Sequence, residues 1–158
     1  MMDAKVLYIA GNEGSGKSPV CRNIDNLLQN KGFDKKRKQT LNDDDYVIYR
    51  TRNGEHVVLS TASDNADLIA ILESFIESIF DSSNDAEVIV LVLAIRNTGD
   101  PMRKSLENLI KEHFNIIEEI EIPLARINDN AGLEVHDWYH EAVDKLVKHV
   151  LESNPFNL

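Results

Sequence analysis

From residue 11 to residue 18 the chain reads Gly11-Asn12-Glu13-Gly14-Ser15-Gly16-Lys17-Ser18. No other stretch restricts the fold as tightly. Glycines let the backbone take angles closed to other residues. Successive N–H groups can then turn inward and form a concave nest for an anion. Just before it, Val6-Leu7-Tyr8-Ile9-Ala10 is a short apolar run of strand-forming residues. The spacing predicts a first strand over Lys5–Ala10. After it, Val20, Ile24, Leu27 and Leu28 recur at helical spacing. They predict a helix from Lys17 to about Asn30, stopped near Gly32. Strand, glycine turn and helix in that order bring the positive end of the helix to the mouth of the nest.

The rest of the chain keeps alternating. Tyr46–Thr51 and Glu55–Thr61 flank Arg52-Asn53-Gly54, and Asn-Gly is a strong hairpin signal. Phe33–Leu41 is strongly apolar only at its ends, which leaves strand and loop both open. Leu68, Ile69, Leu72, Phe75, Ile76 and Ile79 predict a helix from Asp64 to about Phe80, with Ser63 as N-cap. Val88–Ile95 is continuously apolar, as a parallel strand covered on both faces must be. Pro101 opens a helix that runs to about His113. A strand is predicted over Ile116–Leu124, a polar loop over Arg126–Leu133, and a last helix from His136 to about Leu151. That helix carries Trp138, Ala142, Val143, Leu146, Val147 and Val150 on its apolar side. The expected fold is α/β, a three-layer sandwich with a mostly parallel sheet and one β-hairpin. It forms a single domain over residues 1–152, followed by a frayed tail over 153–158.

At 158 residues and 42% apolar composition the chain can bury one core. Its net charge of −10 argues against a nucleic acid or an anionic membrane as partner. The basic run Lys35-Lys36-Arg37-Lys38 reads as a solvated segment. Cys21 is the only cysteine, which rules out an intrachain disulfide and suits a reducing cytoplasm. No signal-peptide pattern opens the chain, and Val88–Ile95 is too short to span a bilayer.

The pattern G-x-x-x-x-G-K-[ST] between a strand and a helix resembles the Walker A loop of the P-loop NTPase superfamily, over about residues 5–31. The resemblance implies a P-loop fold that binds a nucleoside triphosphate, ATP or alternatively GTP. Gly11, Asn12, Glu13, Gly14, Ser15, Gly16, Lys17 and Ser18 would hold its phosphates. Lys17 would reach the β- and γ-phosphate oxygens, and the Ser18 hydroxyl would ligate Mg²⁺. Pro19 stands where many members of the superfamily offer an N–H to the α-phosphate. It is expected to weaken nucleotide binding and to bias Ser18 away from helical angles. Pro19→Thr should then bind a fluorescent ATP analogue more tightly, and equal affinities would remove the argument.

The hairpin fixes where the remaining candidates fall. If Glu55–Thr61 runs parallel to the first strand, then Thr61–Asp64 and Asn42–Asp45 both reach the edge of the sheet that carries the loop. No apolar run ends in an aspartate, so Asp64 is the candidate second acid for Mg²⁺; the other reading is a carboxylate complementing a helix dipole. Thr61 and Ser63 offer hydroxyls at the same edge. Asp43, with Asp44 and Asp45, suggests an acid that orients an acceptor hydroxyl, against a solvated turn. Arg96 follows the apolar strand and is placed to stabilise a transferring phosphoryl group, or to pair with a surface acid. Arg126 and Asn128 follow the last strand, where superfamily members often contact the base. Asn97-Thr98-Gly99-Asp100 only partly matches a base-reading motif. The histidines at 56, 113, 136, 140 and 149 make no convincing metal set, and His136 and His140 read as part of a solvated face. The leading expectation is Mg²⁺-dependent phosphoryl transfer from ATP to a small acceptor. A slow regulatory NTPase with a protein partner and a degenerate binding domain stand as alternatives.

Overall fold

The structure is a computed structural model and describes residues 1–12, 14–82, 88–128 and 130–158. Its elements run β1 (Met2–Ala10), α1 (Lys17–Asn30), β2 (Asp34–Asn42), β3 (Asp45–Arg52), β4 (Glu55–Ser60), α2 (Ala66–Ser82), β5 (Val88–Ile95), α3 (Pro101–His113), β6 (Phe114–Pro123) and α4 (Leu133–Glu152). The strands form one mixed six-stranded sheet in the order β2-β3-β4-β5-β1-β6. β4, β5, β1 and β6 pair in parallel, and β3 runs against both β2 and β4.

Side-chain alternation divides the core between the two faces. Val6, Tyr8, Leu91, Leu93 and Ile95 pack with Leu72, Phe75, Ile76, Leu106 and Ile110, and so lie under α2 and α3. Leu7, Ile9, Val90 and Val92 pack with Val20, Ile24, Leu28, Val143 and Val147, and so lie under α1 and α4. β5 is apolar throughout because both its faces are covered, and only Val88 is exposed. Each such side chain withdrawn from water stabilises the fold by roughly 1.5–3 kcal/mol.

The β3–β4 turn is the expected Asn-Gly hairpin, with Asn53 at φ 48° and Gly54 at φ 83°. Phe33–Leu41, ambiguous in sequence, is mostly strand. Every residue of β2 is exposed, so no apolar alternation was there to announce it. Lys38 lies over the Tyr46 ring at 4.4 Å, and the other cations of the run are solvated. One polar network crosses from α1 to β3. Arg50, buried, donates to Asp25 Oδ1 at 2.7 Å and to the Phe33 carbonyl at 3.0 Å, while the Tyr46 hydroxyl donates to Asp25 Oδ2.

Three expectations are corrected. α2 begins at Ala66, and Asn65 Oδ1, rather than Ser63, accepts the first-turn N–H of Leu68. α4 begins at Leu133 and buries Val143, Val147 and Leu151; Trp138 is 70% exposed and Leu146 49%. A broad apolar arc left the buried centre undecided, and contact with α1 selects the Val143 side. The tail expected to fray packs down, with Phe156 and Leu158 buried and Lys5 Nζ donating to the Pro155 carbonyl at 2.8 Å. Deleting residues 155–158 should therefore lower unfolding free energy by about 3 kcal/mol in urea titrations. A truncated chain as stable as the full one would show that this packing contributes nothing.

Burial pushes the Cys21 thiol up to about 12, against the pull of Lys17 and Arg22. Burial also raises Tyr8 and Tyr46, with Glu119 adding to the first and Asp25 to the second. Raised folded values mean that the unfolded chain gives up these protons first. Their contribution is whole below about pH 9 and is lost as pH climbs toward 12. Urea midpoints should fall steadily from pH 9 to 11, and Cys21→Ala should shallow that fall. No helix among the described residues is long and apolar enough to cross a membrane.

Candidate functional site

Parallel strands bring their carboxyl ends to one edge, and the candidate residues collect there. β1 lies between β5 and β6. The chain leaves β1 through α1 on one face and passes from β5 to β6 through α3 on the other, and such a parting of connections opens a crevice at the strand end.

The glycine loop fills that crevice. Gly11 donates to the Ile95 carbonyl at 3.0 Å, tying the loop to β5. A Cβ on Gly11 would lie 2.1 Å from Ser15 Oγ and 2.8 Å from Ser15 Cβ, so only glycine fits. Gly14 and Gly16 hold φ of 80° and 90°. Gly16 caps α1, whose first helical bond runs from the Val20 N–H to the Gly16 carbonyl at 3.2 Å. The N–H groups of Lys17 and Ser18 are thus left without helical acceptors. Ser18 is helical despite Pro19, which sits in the first turn where its missing N–H breaks no bond. Ser15 Oγ is buried without a hydrogen-bond partner among the described residues. Glu13 lies outside the described residues. Gly11→Ala should cost roughly 1–3 kcal/mol by forcing Ser15 aside. Adding Ser15→Gly should recover most of it, as read from unfolding midpoints.

Lys17 is 5% exposed, and its ammonium meets Asp64 Oδ1 at 2.9 Å. Arg96 Nε reaches the same oxygen at 2.9 Å but lacks hydrogen-bond alignment, so that contact is an ion pair only. Asp64 thus stands between two cations. Ser18 Oγ donates weakly to the Thr61 carbonyl at 3.5 Å. The hydroxyls of Thr61 and Ser63 are spent within the fold: Thr61 bonds the backbone of Asp44 and Tyr46, and Ser63 donates to the Ala94 carbonyl.

A pocket of about 400 Å³ opens over this floor. The loop, Pro19 and Asp64 line one side, and Ala125, Ile127, His136, Tyr139 and His140 the other. Asp43 is not among the lining residues; it is exposed in the β2–β3 turn, beside Asp44, which pairs with Arg22 at 2.5 Å, and Asp45, which accepts from Asn42. Arg126 and Asn128 are also exposed and outside the lining. Asn128 instead closes its own turn, accepting from Asn130 and Ala131. Ala125 and Ile127 line the pocket in place of Arg126 and Asn128.

His136 and His140 face the loop rather than a solvated surface. The His140 ring lies 3.3 Å from where a Cβ on Gly16 would stand. Tyr139 accepts from the Ala125 N–H at 2.6 Å and fixes the helix to the β6–α4 segment. Their i, i+4 spacing just after the last strand was the available signal, since a helix leaving that strand must start at the loop edge. Glu73, Glu77 and His113 also converge, with ligand atoms within 4.8 Å of one another. They lie by the opposite edge, where Phe114 pairs with Met2.

No family model matches the chain, and no curated protein matches it significantly. Among solved structures it is similar to one described as the crystal structure of APE1195, at 16% identity and a TM-score of 0.38, covering 97% of this chain and 76% of that one. Similarity at that level carries no functional argument.

Proposed function

We propose that the chain is a P-loop-type domain that binds a nucleoside triphosphate, with the polyphosphate on the Gly11–Ser18 loop and Mg²⁺ beside it. The observation that carries this is the loop itself. Gly11 has no room for a Cβ, Gly14 and Gly16 hold positive φ, helix-start amides lack helical acceptors, and a buried lysine stands at the floor of a 400 Å³ pocket. That volume lies in the ordinary range for small-molecule sites. The donors also suit Mg²⁺, which takes hard oxygens: Ser18 supplies a hydroxyl and Asp64 a carboxylate. A phosphate arriving at Lys17 would displace Asp64 and free it for the ion.

Between the two active readings, the slow regulatory NTPase gains support from one observation. Asp64 links the loop to the segment after β4 through Lys17 and Arg96, so a ligand that takes Lys17 must rearrange that segment. Transfer to a small acceptor has less behind it, because Asp43 stands outside the pocket and Asp64 is the only acid lining it among the described residues. Both readings place the work where nucleoside triphosphates are abundant, as in the cytoplasm. The test is titration of ATP and GTP with and without Mg²⁺, followed by coupled-enzyme turnover. Binding strengthened by Mg²⁺ with slow, acceptor-independent release of diphosphate is expected. Release that requires one metabolite would favour the kinase, and absence of any binding would overturn the proposal.

A further inference from the structure

α4 presents two histidines to the pocket, one helical turn apart. Neither imidazole takes part in a hydrogen bond or ion pair among the described residues; His136 is bonded through its backbone N–H to the Gly132 carbonyl. The His140 and Tyr139 rings meet edge to face, with centroids 5.8 Å apart. Opposite them lie the open amides of Lys17 and Ser18, the Lys17 ammonium and the unpartnered Ser15 hydroxyl, in a residue only 7% exposed. An imidazole offers at least one N–H at any pH, and such donors bond charged oxygens more strongly than neutral ones.

We propose that α4 is the second jaw of the phosphate site, with His136 and His140 donating to the anion oxygens that the loop leaves uncovered. The proposal rests on the phosphate reading above and narrows its ligand class. Donors on two facing walls suit a group with oxygens pointing both ways, a diphosphate or longer chain, better than a planar carboxylate. The bond between Tyr139 and the Ala125 N–H sets the rotation of the helix, so Tyr139 is a positioning residue for the jaw.

The test uses the full chain and inorganic pyrophosphate, followed by calorimetry and by ¹⁵N-imidazole NMR. Wild type should bind, and the ring signals of His136 and His140 should move on titration. His136→Ala and His140→Ala should each weaken affinity roughly tenfold, the scale of one hydrogen bond to a charged group. His140→Gln, which keeps an N–H donor, should recover most of the loss, and Tyr139→Phe should weaken binding while leaving the melting temperature near wild type. If Lys17→Met loses pyrophosphate while both histidine variants keep it and the ring signals stay still, the jaw is wrong and the loop reading survives. If wild type does not bind pyrophosphate at all, both are overturned.

Discussion

Lys17→Met should lower the affinity for ATP, or for pyrophosphate, by about a hundredfold, equivalent to roughly 2.7 kcal/mol. The lysine is 5% exposed at the floor of the pocket and supplies a full positive charge where an incoming phosphate would sit. Methionine keeps most of the apolar stem and removes the charge, so shape is nearly preserved. The fold should tolerate the change, because Asp64 keeps Arg96 as a counter-charge at 2.9 Å and remains partly in contact with water. Calorimetric titration beside a thermal melt separates the two effects. Unchanged affinity would mean that anions, if they enter, do not use the lysine; a collapsed melting temperature would mean that its role is structural.

The second large effect concerns stability. Asp25→Ala should cost about 3–5 kcal/mol, the usual penalty for leaving a buried charge without its partner. Among the described residues the Arg50 guanidinium would retain only the Phe33 carbonyl, and the Tyr46 hydroxyl would lose its Asp25 acceptor. A paired change, Asp25→Leu with Arg50→Met, replaces both ions by apolar groups of similar volume. It should restore much of the loss, since an intact buried ion pair contributes little net stability over well-packed side chains. Urea denaturation of the two variants beside wild type reads this directly. A single variant within 1 kcal/mol of wild type would show that water already reaches the pair.

What the residues reveal in advance follows the strength of their local constraints. β1, β5 and the β3–β4 hairpin were legible because continuous apolar runs and an Asn-Gly pair leave few alternatives. β2 was not, because a wholly solvated edge strand carries no buried face to imprint a period. α4 was legible as a helix and misread in rotation, since Trp138 and Leu146 extend its apolar arc beyond what α1 covers. The site divides the same way. The loop glycines declare themselves through a positive φ that other residues rarely adopt at Gly14 and Gly16, and through a lack of room for a Cβ at Gly11. The opposite wall does not, because His136, Tyr139 and His140 gain their place only when α4 folds back over the loop, a tertiary event without a local signature. Asp64 and Arg96 stand out singly in the sequence; that Lys17 and Arg96 would meet on one Asp64 oxygen depended on the strand order, in which β5 separates β4 from β1.

An aspartate already seated on the lysine turns ligand entry into an exchange. The protein's own carboxylate would compete for Lys17 at a high effective concentration, which would disfavour weak monovalent anions relative to a more highly charged group. Eviction from Lys17 would leave Asp64 with Arg96 as its remaining counter-charge, and filling the pocket would thereby be felt just ahead of α2.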